Sequence, residues 1–235
     1  GQEDSGFDVD LIGLDNDGDG FVDWPADADC AMPVSTTTTT TTSTTTTTLP
    51  VGCGAAPAIG CIAPDKSRLV VNEKTAGKEK LKVVLSKLQP AVTQSQFGNP
   101  VGGSTSYAVC IYDDADQLSG EISVARAGDD CGSPPQPCWE AVSTKGYKYG
   151  DKSTAADGIL KAIMVGGDPG SGKIVITGRN NASKLQTSLP TGIASLLQND
   201  TQATVQIVTS DAACFGATVT QVKQADGFIF NAVGP

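Results

Sequence analysis

Fourteen consecutive residues, Ser35 to Thr48, are threonine apart from Ser35 and Ser43, and the tract closes on Leu49-Pro50. No hydrophobic core can run through such a segment, because it carries no apolar side chain to bury. The tract therefore divides the 235-residue chain into three parts. These are an arm over residues 1–32, a Thr/Ser/Pro linker over 33–52 and a body over 53–235. Between Pro33 and Pro50 an extended backbone reaches roughly 50 Å at ~3.1 Å per residue. The body should be about 40 Å across, so the linker is long enough to carry the arm over a whole neighbouring subunit. Tracts of this kind resemble O-glycosylated stalks. That resemblance makes Thr36, Thr37, Thr38, Thr39, Thr40, Thr41, Thr42, Thr44, Thr45, Thr46, Thr47 and Thr48 candidate sugar acceptors and the protein a glycoprotein.

Charge separates along the same boundary. Residues 1–30 hold ten carboxylates (Glu3, Asp4, Asp8, Asp10, Asp15, Asp17, Asp19, Asp23, Asp27 and Asp29) and no Lys or Arg. The whole chain has 26 acids and 16 bases, so the remainder holds 26 − 10 = 16 acids against 16 bases. All of the net charge of −10 sits in the arm. A cation is the partner this implies. Nucleic acid and anionic membranes are disfavoured as partners, since neither part carries a basic excess. No apolar run approaches the ~20 residues that a membrane helix needs.

Within the arm, Asp15-Asn16-Asp17-Gly18-Asp19-Gly20-Phe21-Val22-Asp23 has the pattern of a calcium loop. Calcium takes six to eight oxygen ligands, and carboxylates at loop positions 1, 3 and 5 converge when the backbone wraps one point. Here these are Asp15, Asp17 and Asp19. Gly20 permits the sharp turn, Phe21 offers its backbone carbonyl, Asp23 sits at position 9, and Asp27, with Asp29 as the less favoured alternative, completes the set. The loop resembles those of EF-hands, dockerins and thrombospondin type-3 repeats. Position 12 is Ala26 rather than Glu, and Pro25 opposes a continuing helix. The type-3-like form, without paired helices, is therefore preferred. It implies bound Ca2+ at an affinity of about 10⁻⁴–10⁻³ M, as in extracellular modules. Before the loop, Phe7, Val9 and Leu11 alternate with Asp8 and Asp10, a short strand signal without a partner in the arm.

The body reads as all-β, an antiparallel sandwich behind an extended calcium-binding arm. Expected strands are Arg68–Glu73, Leu81–Leu88, Ser106–Tyr112, Glu121–Ala127, Trp139–Thr144, Ile159–Val165, Lys173–Thr177, Ala203–Val208, Ala217–Val222 and Gly227–Ala232. A single helical turn or two is expected over Gly192–Gln198. The sequence has seven cysteines, no CxxC pair and no histidine. That favours disulfides in an oxidising, extracellular or cell-surface setting over a metal site. Gly1-Gln2-Glu3-Asp4 reads as a processed N-terminus. Six body cysteines allow 15 connectivities. The loop Cys131–Cys138 suits a local bridge, Cys53 and Cys61 similarly bracket Pro57, and Cys110 and Cys214 in apolar strands are placed to link sheets. Cys30 is left over, either for a bond across a subunit boundary, the slightly favoured reading, or as a free thiol. Tyr107-Ala108-Val109-Cys110-Ile111-Tyr112-Asp113, Cys131 to Cys138-Trp139 and Gly146-Tyr147-Lys148-Tyr149 together resemble a cysteine-containing β-domain of uncharacterised secreted bacterial proteins. The resemblance implies compartment and class, and no activity.

Without histidine no Ser/His/Asp or Cys/His set exists, and a non-enzymatic role is expected. Gly167-Asp168-Pro169-Gly170-Ser171-Gly172-Lys173 mimics a phosphate-binding loop but continues to Ile174, so it reads as a hairpin turn. Asn181-Ala182-Ser183 and Asn199-Asp200-Thr201 are glycosylation triplets. Asp113-Asp114 and Asp129-Asp130 read as solvated turn carboxylates. The leading reading is a calcium-rigidified subunit of an extracellular filament or surface assembly, whose arm docks on the next copy by strand addition. The alternative is a stalked carbohydrate-binding or adhesion module. The 5% aromatic content counts against that alternative.

Overall fold

In the computed structural model, residues 52–180 and 189–235 are described. They build an antiparallel β-sandwich. The sheets start from alternation: in β1 (Ala63–Asn72) Leu69 and Val71 are buried while Lys66 and Arg68 are exposed. β2 (Lys80–Gln89) buries Leu81, Val83 and Leu85 and exposes Lys80 and Lys82. A period of two puts these sets on opposite faces of one sheet.

β3 (Tyr107–Tyr112) and β4 (Leu118–Val124) form a hairpin. β5 (Asp130–Cys131) and β6 (Gln136–Pro137) are short. β7 (Trp139–Val142), β8 (Gly146–Gly150), β9 (Ile159–Val165) and β10 (Gly172–Arg179) follow as a meander. The helical turn α1 (Ile193–Leu196) precedes β11 (Ala203–Thr209), β12 (Cys214–Val219), β13 (Gln221–Asp226) and β14 (Ile229–Gly234). The large sheet runs β13-β14-β1-β2-β10-β9-β8-β7, the smaller one β12-β11-β3-β4, and β5 pairs only with β6.

The inward faces of the two main sheets share one core. Trp139 lies between Tyr107 and Tyr149, with ring centroids 4.9 and 5.0 Å away, and Phe97 stacks on Phe215 at 5.1 Å. Such offset aromatic pairs add to plain area burial. The buried Tyr107 hydroxyl donates to the Phe97 carbonyl at 2.7 Å, and burial pushes its pKa up.

β3 is buried at every position. Tyr107, Val109 and Ile111 enter the main core, whereas Ala108, Cys110 and Tyr112 form a second cluster on the other face with Cys53 and Val208. Residues 52–58 cover that outer face. Tyr112 Oη donates to the Gly54 carbonyl at 3.1 Å, and Gln206 brackets Ala58 with two hydrogen bonds of 2.9 and 2.8 Å. Hence Tyr-Ala-Val-Cys-Ile-Tyr shows no polar alternation.

Most expected strands are present. Two differ for local reasons. Ala217–Val222 is not one strand: β12 ends at Val219, Thr220 intervenes, and β13 begins at Gln221 in the other sheet. No Gly, Pro or Asn marks that corner. β8 was not among the expected strands. Gly146 is required there, since a Cβ would collide with the Met164 carbonyl on β9.

Two of the three anticipated disulfide pairings are corrected. Cys131 pairs with Cys138 as expected. Cys53, however, pairs with Cys110, and Cys61 with Cys214. The chain from Cys53 to Cys61 crosses the small sheet instead of closing on itself at Pro57. Ile62 then pairs beside Phe215, its N–H donating to the Cys214 carbonyl at 2.8 Å, which brings Cys61 to Cys214. Cys110 and Cys214 do not link sheets. Both lie in the small sheet, on β3 and β12, with β11 between them. Strands two apart are separated by about 9.5 Å, too far for a disulfide.

Candidate functional site

The calcium loop (Asp15, Asp17, Asp19, Phe21, Asp23, Asp27), the strand signal at Phe7–Leu11, Cys30, the threonine tract and the Asn181 triplet lie outside the described residues. Asn199 is exposed in the turn after α1. The phosphate-loop mimic is the β9–β10 hairpin, where Ser171 N–H donates to the Asp168 carbonyl at 2.8 Å and Gly170 has φ +79°. Asp113 is a turn residue that accepts from the Ala115 and Gln117 N–H groups at 2.9 and 2.8 Å. Asp129 pairs with Arg126 at 2.7 Å. Among the described residues no group of three His, Cys, Asp or Glu side chains is placed to hold a metal.

The structure does bring together a set that sequence reasoning missed. The solvent face of the large sheet carries rows of cations and small uncharged groups, with carboxylates on its outer strands, Glu140 on β7 and Asp226 on β13. One row runs Arg68, Val84, Val175, Ile163, Lys148 and Glu140 across six strands. The next runs Val70, Lys82, Thr177, Lys161 and Gly150. A third runs Asn72, Lys80 and Arg179, and a fourth Lys66, Ser86, Lys173 and Val165. On β1, β2, β9 and β10 this face thus presents Lys66, Arg68, Lys80, Lys82, Lys161, Lys173 and Arg179, all exposed. Its outward positions on these four strands include no carboxylate. Asp65 sits at the start of β1, where it accepts from Gln89 at 3.1 Å. Among the described residues none of the seven cations has an ion pair within 4.0 Å. Lys80 lies directly opposite Arg179, a like-charge cross-strand pair that costs stability unless an anion is near.

The face ends in a cleft of about 530 Å³. Its floor is the outer side of β7 to β10, and its wall is the Cys131–Cys138 hairpin, held by Cys138 N–H to the Asp129 carbonyl (2.8 Å) and Gly150 N–H to the Cys138 carbonyl (3.0 Å). Lys148, Lys152 and Lys161 line it together with Glu140 and Thr177. Glu140 holds Lys148 at 3.0 Å.

Below the cleft Asp151 has a fully buried side chain. Its Oδ1 accepts from Ser153 N–H at 2.7 Å and from the Ser153 hydroxyl, and its Oδ2 from Ala155 N–H at 2.9 Å. Arg126 Nη1 stands 3.9 Å away. Burial opposes ionisation, yet these hydrogen bonds and the guanidinium outweigh it and hold the carboxyl below its usual range. A carboxylate so fully satisfied is a structural anchor for the β8–β9 connection and for one side of the cleft.

The signal for this face is present in the sequence as cations at every second position, Lys66 and Arg68, then Lys80 and Lys82. Its meaning depends on strand order. Outside residues 1–30 sixteen acids balance sixteen bases, but the fold assigns seven cations to one face. No known protein family matches the chain, and no curated protein or solved structure does either.

Proposed function

We propose that this chain is a secreted, non-enzymatic, calcium-binding structural protein, a subunit of an extracellular fibre or surface assembly in which the arm of one copy docks on the body of the next. The observation that carries this reading is the segregation of charge: ten acids and no base in residues 1–30, against a balanced body. Carboxylates spaced as in Asp15, Asp17, Asp19, Asp23 and Asp27 repel one another without a counter-ion and suit a hard, oxygen-seeking cation. The three disulfides suit an oxidising environment of the extracellular type. Among the described residues no helix is long and apolar enough to cross a membrane. The threonine tract, as a sugar-bearing spacer, supplies the reach between copies.

Electron microscopy of the purified protein with calcium and with a chelator tests the reading. Ordered filaments or sheets that fray when calcium is withdrawn support it. Dispersed single particles at high concentration in both conditions refute it, and direct attention to glycan binding by a stalked body.

A further inference from the structure

We propose that the basic face of the eight-stranded sheet, with the cleft at its end, is the acceptor surface for the acidic arm of a second copy of this chain. The inference rests on the assembly reading above and names the surface that serves it. Seven exposed cations share the face without an ion pair among the described residues. Residues 1–30 carry ten carboxylates without a base. The β1, β2, β9 and β10 part of the face therefore holds the charge that the arm lacks, with Glu140 and Asp226 confined to the outer strands, and the opposed Lys80 and Arg179 lose their mutual repulsion when an anion lies between them.

The spacing also agrees. Residues two apart in an extended segment lie about 6.8 Å from each other. Lys66 and Arg68 on β1 have that separation, as do Lys80 and Lys82 on β2. Asp8 and Asp10 match one such pair. Glu3, Asp4, Asp8 and Asp10 all precede the calcium loop, so they remain available to lysines when Asp15, Asp17 and Asp19 engage calcium.

The tether favours a neighbour over the same chain. The described body begins at residue 52, on the outer side of the small sheet, where Cys53 is bonded to Cys110. The basic face is on the opposite side of the sandwich. Residues 31–51, 51 − 30 = 21 in number, extend roughly 65 Å at ~3.1 Å each. Half a circuit of a body about 40 Å wide takes up nearly all of that length. A copy stacked against the small-sheet side meets the arm with tether to spare. A free polyanion is the competing occupant, but it must displace arms held at high local concentration by the assembly.

Charge reversal in the full-length protein tests this. Sedimentation velocity with calcium is run on the wild type, on Lys82→Glu/Lys161→Glu, on Asp8→Lys/Asp10→Lys and on the chain carrying all four changes. All four positions are substituted for charge alone, and melting curves check that each variant is folded. Each reversed pair should weaken self-association about ten-fold or more, 0.5 M NaCl should do the same to wild type, and the four-fold variant should recover it. Wild-type assembly that persists in Lys82→Glu/Lys161→Glu overturns the surface while leaving the assembly reading intact. A wild type that stays monomeric overturns both. Loss of binding to a sulfated polysaccharide in Lys82→Glu/Lys161→Glu, with assembly unchanged, assigns the face to a polyanion instead.

Discussion

Cys61 is bonded to Cys214 across a sequence separation of 153, and the bridge fastens the start of the body to the edge strand of the small sheet. Long closed loops remove the most freedom from an unfolded chain. Replacing both cysteines with alanine should cost about 2–5 kcal/mol in urea unfolding under oxidising conditions. The Cys131–Cys138 bridge closes a separation of only 7. Its removal should cost less globally and loosen the cleft wall, which hydrogen exchange at Gln136 and Cys138 would report.

Glu73 caps α1. Its Oε2 accepts from the Gly192 and Ala194 N–H groups at 3.1 and 3.3 Å, and its Oε1 from Ile193 N–H at 3.1 Å. These are among the N–H groups that a helix leaves without internal partners. Ile193 and Leu197 pack into the core from this turn, so its orientation matters to the sandwich. Glu73→Ala should destabilise the fold by about 1–3 kcal/mol, and Glu73→Gln, which keeps one acceptor oxygen, by less. Chemical denaturation of the two variants checks the order.

The alternating strands were legible in the sequence because each has one wet face. β1, β2, β9 and β10 all show it. β3 was legible as a strand from its apolar run, but its second buried face depends on residues 52–58, which lie about fifty positions away. The pairing of Cys61 with Cys214 was hidden for the same reason: no local feature of Pro57 tells the chain to cross the small sheet instead of closing a loop. The basic face was hidden by arithmetic. Net charge sums over all faces, and only the order β1-β2-β10-β9 gathers Arg68, Lys82, Lys161 and Arg179 on one.

Asp151 makes stability depend on pH. Its folded pKa lies below the usual carboxylate value. A depressed carboxylate stabilises the fold above the unfolded pKa of about 4 and loses that contribution as pH falls through the folded value. Glu79 acts in the same direction. Its burial is outweighed by hydrogen bonds, including 2.7 Å from Asn180 Nδ2 and 2.9 Å from Gly77 N–H. Asp151→Asn should therefore be less stable than wild type at pH 7, with the difference shrinking below about pH 4. Thermal melts from pH 7 to pH 2 would show it. A gap that stays constant across this range would mean that Asp151 contributes shape and not charge.

The calcium loop makes the last prediction. In the proposed calcium loop Asp15, Asp17 and Asp19 stand at positions 1, 3 and 5, from which alternate carboxylates would converge on one ion, and removing one would leave a hard cation with too few charged oxygens. Asp17→Ala should weaken calcium binding about ten-fold or more from a wild-type dissociation constant of about 10⁻⁴–10⁻³ M. Glu3→Ala, outside the ligand set, should leave it within about two-fold. Calorimetric titration of full-length protein separates the two. Magnesium, which keeps its waters and demands a tighter octahedron, should compete poorly. Equal loss in both variants would mean that the arm attracts calcium by diffuse charge and not by a formed loop.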